Sequence, residues 1–169
     1  MSSLRKTRKV HARLRRSERS LPFKLDITAR QGGKFVPFLQ KHLSAARKLL
    51  KADLSDLSLA LVGDAEMSEI HQYFLGIARP TDVLSFELEY NNDDRVTAGE
   101  VVVCIPQARR QAHPGKVKEE VLLCALHGML HLCGFDDRTQ RGFIAMHRAE
   151  DDILIRLGLP PVFKRGESR

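Results

Sequence analysis

Val117-Lys-Glu-Glu-Val-Leu-Leu-Cys-Ala-Leu-His-Gly-Met-Leu-His-Leu-Cys133-Gly134 is the stretch on which the reading of this chain turns. Its spacing predicts a long helix over 116–133, broken at Gly134. His127 and His131 lie four residues apart, so both imidazoles fall on one face, about one turn from each other, where they can reach a single ion. A glycine at 134 can take a left-handed backbone and turn the chain back. Three residues later comes Asp137, completing the pattern His-x3-His-x2-Gly-x2-Asp. Two ligands from a helix and a third from the returning turn leave a coordination position for water, which is how a catalytic metal site is built. The adjacent Asp136 is an alternative third ligand, and His147, a turn or more into the next helix, is a weaker one. Two core histidines on an apolar helix is the bland alternative. The turn glycine and the two acids behind it argue for the metal.

Working outward, strands and helices interleave. Residues 23–28 alternate apolar and polar side chains, as a half-buried strand does. A Gln31-Gly-Gly-Lys turn follows, and Pro37 opens a helix over 38–52. A second strand covers 57–62, and Asp64 is expected to cap a helix with Met67, Ile70 and Phe74 on its inner face. Thr81 to Glu89 reads as a third strand, and Asn91-Asn-Asp-Asp-Arg as a polar loop. The continuous apolar run after Glu100 predicts a fourth strand buried on both faces. A short helix follows Pro106, and a last one covers 140–157. The expected fold is α/β (α+β): a mixed sheet of about four strands with about five helices, and the metal site on a central helix.

The 169 residues suit one ordinary domain. No apolar run reaches the roughly 20 residues needed to cross a bilayer, and no secretory signal is visible. Cys104, Cys124 and Cys133 are too few and too scattered for a disulfide framework, which favours a reducing compartment. The net charge of +7 is entirely a property of the first twenty residues: eight Lys or Arg, among them Arg5, Arg8, Arg15 and Arg16, against the single acid Glu18. Residues 21–169, read as the single metallohydrolase domain, are formally neutral. A basic tail suits phosphate binding through counterion release. It also has the composition of a transit peptide, and of an inert extension. Aromatic residues make up only 6% of the chain, so contacts to a nucleic-acid backbone are expected over extensive base stacking.

The helix-plus-turn layout is shared with metzincin peptidases, whose His-Glu-x-x-His places the general base beside the first histidine. Here that position is Gly128, which cannot take a proton from water. The metal geometry survives and the peptidase mechanism does not. A peptidase reading would revive only with another carboxylate, such as Glu100, beside the metal.

His127-Gly-Met-Leu-His-Leu-Cys-Gly-Phe-Asp136 resembles the signature of the YbeY family, metal-dependent endoribonucleases of ribosomal RNA maturation. Pro80-Thr-Asp-Val-Leu-Ser-Phe86 is similar to that family's second hallmark. Gly99-Glu-Val-Val-Val-Cys104 resembles its buried strand, and Met146-x3-Glu150 with Ile153-Leu-x2-Leu157 its last helix. The resemblance implies a cytoplasmic, single-strand-specific endoribonuclease acting in ribosomal RNA maturation and ribosome quality control, with ribosomal RNA and the small ribosomal subunit as partners and no membrane. Zinc is the default ion for the set His127, His131 and Asp137. Asp137 stands where the family usually has a third histidine, so another divalent metal is also expected to fit. The family often has an asparagine and an arginine where this chain has His71 and Leu75, and Arg79 or Arg138 is expected to supply the cation instead. Asp136 is the nearest candidate for a catalytic carboxylate or for orienting a ligand. Thr81 and Ser85 are expected to contact substrate, as are Arg5, Arg8, Arg15 and Arg16 of the tail. The competing expectation is a non-catalytic ribosome-assembly factor whose metal is a fold staple, closed by Cys133, His147 or Asp136 as fourth ligand.

Overall fold

In the computed structural model, residues 22–162 are described. Four strands, β1 (Lys24–Ala29), β2 (Asp56–Val62), β3 (Val83–Tyr90) and β4 (Val96–Cys104), form one sheet in the order β1-β2-β4-β3. β1, β2 and β4 run parallel, and β3 returns antiparallel along β4 as an edge strand. The polar loop between β3 and β4 is a hairpin turn: the Asn91 side-chain oxygen accepts from the backbone N–H of Asp93 and of Arg95. Five α-helices accompany the sheet: α1 (Val36–Leu49), α2 (Asp64–Leu75), α3 (Ile105–Gln111), α4 (Val117–Leu132) and α5 (Gln140–Arg156). The α/β class, the four-stranded mixed sheet and the five helices are those expected from the sequence.

Strand periodicity divides the core in two. Leu57, Leu59, Leu61, Val101 and Val103 face one side of the sheet and pack with α1 and α4 in the larger cluster. Val62, Val102 and Cys104 face the other side and pack with Met67 of α2. The apolar run in β4 is thus buried on both faces, as its composition predicts. α4 lies against β4 and β3 on one flank, with α1, α3 and α5 around it. Every residue from Glu120 to Leu126 is therefore buried, although only one face of α4 meets the sheet.

One local expectation is corrected. Asp64 does not cap α2: Gly63 occupies the N-cap with no side-chain bond, and the Asp64 carboxylate pairs with Arg110 and accepts from the Cys104 thiol. Tertiary partners have claimed the carboxylate that local sequence assigns to the helix end. Phe74 does face the sheet, its ring 4.7 Å from that of Phe86 on β3, but it stays 58% exposed because β3 is the edge strand.

Candidate metal centre

α4 delivers two imidazoles to one place. The rings of His127 and His131 stand 4.7 Å apart and nearly perpendicular, with their Nε2 atoms 3.1 Å from each other. The helix then stops in a Schellman turn. Gly134 sits at φ 92°, its N–H donates to the His131 carbonyl, and the Phe135 N–H donates back to the Leu130 carbonyl. That reversal brings Asp137 over the two rings, with carboxylate oxygens 3.5 Å from His127 Nε2 and 3.7 Å from His131 Nε2. Ligand atoms of these three residues all lie within 4.8 Å of one another, and among the described residues no fourth His, Cys, Asp or Glu joins them.

The outer ring nitrogens fix which lone pairs face inward. His131 Nδ1 lies 3.0 Å from the Phe135 carbonyl, which can only accept, so Nδ1 carries the hydrogen. His127 Nδ1 lies 2.7 Å from Glu150 Oε1 and donates in the same way. Both Nε2 lone pairs, and the Asp137 carboxylate, then converge on one point. Such a set is repulsive unless a cation, either a proton or a metal ion, sits within it. Two imidazoles and one carboxylate suit zinc, and the hard carboxylate also admits harder divalent ions. Burial lowers the pKa of His127. The hydrogen bond to Glu150 and the charges of Glu150, Asp137 and Asp82 outweigh that effect and raise it above the ordinary histidine value.

Glu150 was not singled out as a site residue by the sequence, yet it organises one side of the centre. Only 3% exposed, it accepts from His127 Nδ1 at 2.7 Å through one oxygen and from His147 Nδ1 at 2.6 Å through the other. A carboxylate behind a metal-facing histidine fixes the ring's orientation and tautomer. The signal was present: Met146, Glu150, Ile153 and Leu154 form the buried stripe of α5, and an acid within such a stripe must have a polar partner. His147 thus stands beside the cluster, bound to Glu150 rather than among the three converging residues.

The other candidate residues lie around this cluster. Asp136 is turned outward into a two-pronged ion pair with Arg138, whose guanidinium holds its carboxyl at about 2. Arg138 is exposed and close enough to Asp137 to feel its charge. Arg79 has an exposed side chain, and its backbone carbonyl accepts from His71 Nδ1 at 2.7 Å. Thr81 donates to Asp82 Oδ1 at 3.2 Å. The Asp82 carboxylate also accepts from the Val83 N–H and from Gln111, and its charge reaches His127. Asp82 is therefore close enough to act on His127, a residue that sequence reasoning passed over in favour of its neighbours. Ser85 is half-buried two residues beyond Val83, on the α4 side of the edge strand. Burial pushes the Cys133 thiol up to about 11. Arg5, Arg8, Arg15 and Arg16 lie outside the described residues.

Gly128 has a packing reason as well as a chemical consequence. A Cβ there would stand 2.7 Å from Val101 Cγ1 and 3.1 Å from Val83 Cγ2, so this face of α4 is pressed onto the sheet. Glu100 alternates with Val101 along β4 and so falls on the opposite face of the sheet from α4.

The chain is similar to known proteins over most of its length. A family model described as endoribonuclease YbeY matches residues 26–158. A protein of Moorella thermoacetica named endoribonuclease YbeY is 34% identical over 142 residues, covering 73% of this chain and 91% of its own length. A Geobacillus kaustophilus protein of the same name is 30% identical, with 79% and 91% covered. A solution structure of a Thermotoga maritima protein superposes with a TM-score of 0.53 at 27% identity, covering 79% of this chain and 91% of that one.

Proposed function

The chain belongs to the YbeY endoribonuclease family, and on that premise we propose that it hydrolyses phosphodiester bonds in single-stranded segments of ribosomal RNA at a metal held by His127, His131 and Asp137. The observation that carries this reading is the convergence of three ligand atoms whose outer nitrogens are already committed to Glu150 and to the Phe135 carbonyl. The chemistry supplied there by a bound zinc, or another divalent ion, is Lewis acidity toward a phosphodiester and toward water. The protein's own part is placement. Glu150 and the Phe135 carbonyl keep both Nε2 lone pairs inward. The Schellman turn sets Asp137 against them, and Thr81, Asp82 and Ser85 line the approach from the edge strand. Arg138, exposed beside Asp137 and steadied by Asp136, is a cation placed to meet an incoming phosphate, and Arg79, exposed just before Thr81, is a second candidate. Asp136 itself, held at about 2, stays ionised and serves to orient Arg138 rather than to shuttle protons.

Two other readings fare less well. A structural metal is normally closed by four protein ligands. Among the described residues only His127, His131 and Asp137 bring ligand atoms within 4.8 Å of one another; Asp136 is turned outward onto Arg138, and neither His147 nor Cys133 joins the group. A peptidase would need a base that neither Gly128 nor Glu100 provides. The role in ribosomal RNA maturation and ribosome quality control, on the small subunit and in the cytoplasm, fits three cysteines that form no disulfide and the tail cations Arg5, Arg8, Arg15 and Arg16. No described helix is long and apolar enough to cross a membrane. Incubating the zinc-loaded protein and its His127→Ala variant with a ribosomal RNA fragment tests the proposal. Cleavage by the first and not the second is expected, and equal cleavage by a metal-free His127→Ala protein sinks it.

A further inference from the structure

The inward stripe of α5 ends in a residue that the core does not need. Met146, Glu150, Ile153 and Leu154 are buried, but Phe143, one turn nearer the N-terminus of the helix, leaves 42% of its surface in solvent. What stands beside it is the metal centre. The Phe143 ring meets the His147 ring edge-on at 4.1 Å between centroids. The His147 ring in turn lies nearly parallel to that of His127, 6.3 Å away. Glu150, buried beneath both imidazoles, holds each by its Nδ1. The wall is fixed from the other end as well. Thr139 caps α5 by accepting from the Gly142 N–H, and the Phe143 N–H donates to the Thr139 carbonyl at 2.8 Å. Gly142 lies against the Asp136 carbonyl so closely that a side chain there would collide with backbone. The first turn of α5 is thus locked to the segment that carries Asp137.

We propose that Phe143 and His147 form a stacking subsite for the nucleobase next to the phosphate being cleaved. This rests on the nuclease reading above and adds a substrate contact to it. A strand with one phosphate at His127, His131 and Asp137 carries its neighbouring base within about one nucleotide's length, and the wall lies two ring contacts from His127. Aromatic faces stack every base, so the subsite selects an unpaired nucleotide without selecting its identity. A base within a duplex is already stacked and cannot present its face to Phe143. Scarce aromatics argue against an extended stacking platform, but one ring beside the reacting phosphate is enough to demand an unpaired base there.

The test is binding of a short unstructured oligoadenylate to zinc-loaded protein, by fluorescence anisotropy, with incubations short enough that gels show the strand intact. One series carries a single abasic residue moved stepwise along the strand. Phe143→Ala should weaken binding of the intact strand roughly 5- to 150-fold, and Phe143→Trp should restore it. One abasic position should weaken wild type similarly and leave Phe143→Ala unaffected. In wild type alone, 2-aminopurine at that position should be quenched on binding, a readout independent of any variant's folding. Equal affinity of wild type for intact and abasic strands, with no quenching at any position, overturns the subsite and leaves the hydrolase reading standing. Wild type that retains no zinc overturns the hydrolase reading instead.

Discussion

Replacing Glu150 by glutamine isolates the contribution of one buried carboxylate to metal affinity. Its two oxygens each accept an Nδ1–H, from His127 at 2.7 Å and from His147 at 2.6 Å. Glutamine keeps the shape but offers one acceptor and one donor. One of the two imidazoles must then face an N–H. If that ring is His127, its proton moves to Nε2, the atom that has to face the metal; if it is His147, the charge behind His127 is still lost. Loss of such a partner typically lowers metal affinity about 10- to 100-fold, equivalent to about 1.4–2.7 kcal/mol. The assay is zinc competition against a chromophoric chelator at neutral pH. His147→Ala is the control, since it removes the second partner while leaving the Glu150–His127 bond, and it should retain most of the affinity. Glu150→Gln protein that binds zinc as tightly as wild type would refute the positioning argument.

The same geometry bears on packing, pH and salt. Gly128→Glu should cost about 1–3 kcal/mol of stability by denaturant unfolding, because its Cβ is forced against Val101 and Val83, and should confer no peptidase activity. Zinc affinity should fall as pH is lowered through a value above the ordinary 6.5 of histidine, since His127 holds its proton more tightly than usual. The metal-free fold has the opposite dependence: the protonated His127 stabilises it fully below the unfolded-state pKa, and this contribution is lost as pH rises through the raised folded value. A zinc affinity independent of pH between 6 and 8 would contradict the assignment of His127 Nε2 as a ligand. Deleting residues 1–20 should flatten the salt dependence of RNA binding, by up to about 0.7 of a log unit per log salt for each single-strand phosphate that the tail neutralises. Equal slopes with and without the tail would remove it from the RNA interface.

Much of this was legible because it is local. The histidine pair needs only helical spacing. The reversal after it needs only a glycine that tolerates φ 92°. The strands announce themselves by alternation, or by the unbroken apolar run of β4. What was not legible depends on which elements meet. Asp64 sits where a cap belongs, but Arg110 and Cys104, some forty residues on, take its carboxylate. Glu150 is nineteen residues past His131, and only the return of α5 along α4 puts it behind His127. Asp82 was overlooked beside Thr81 because nothing in the sequence shows that the start of β3 borders the end of α4. Phe74 obeys helical periodicity and meets Phe86, but stays largely exposed because β3 is the edge of the sheet.

The central claim is that His127, His131 and Asp137 hold a catalytic metal despite the carboxylate in third place. The most direct test is metal content by mass spectrometry on purified wild type and Asp137→Ala, each also assayed on a structured ribosomal RNA fragment. Near one metal per wild-type chain, with metal and cleavage both lost from Asp137→Ala, is the predicted result. Wild type that retains its metal and cleaves no RNA would contradict it and leave the metal a structural role.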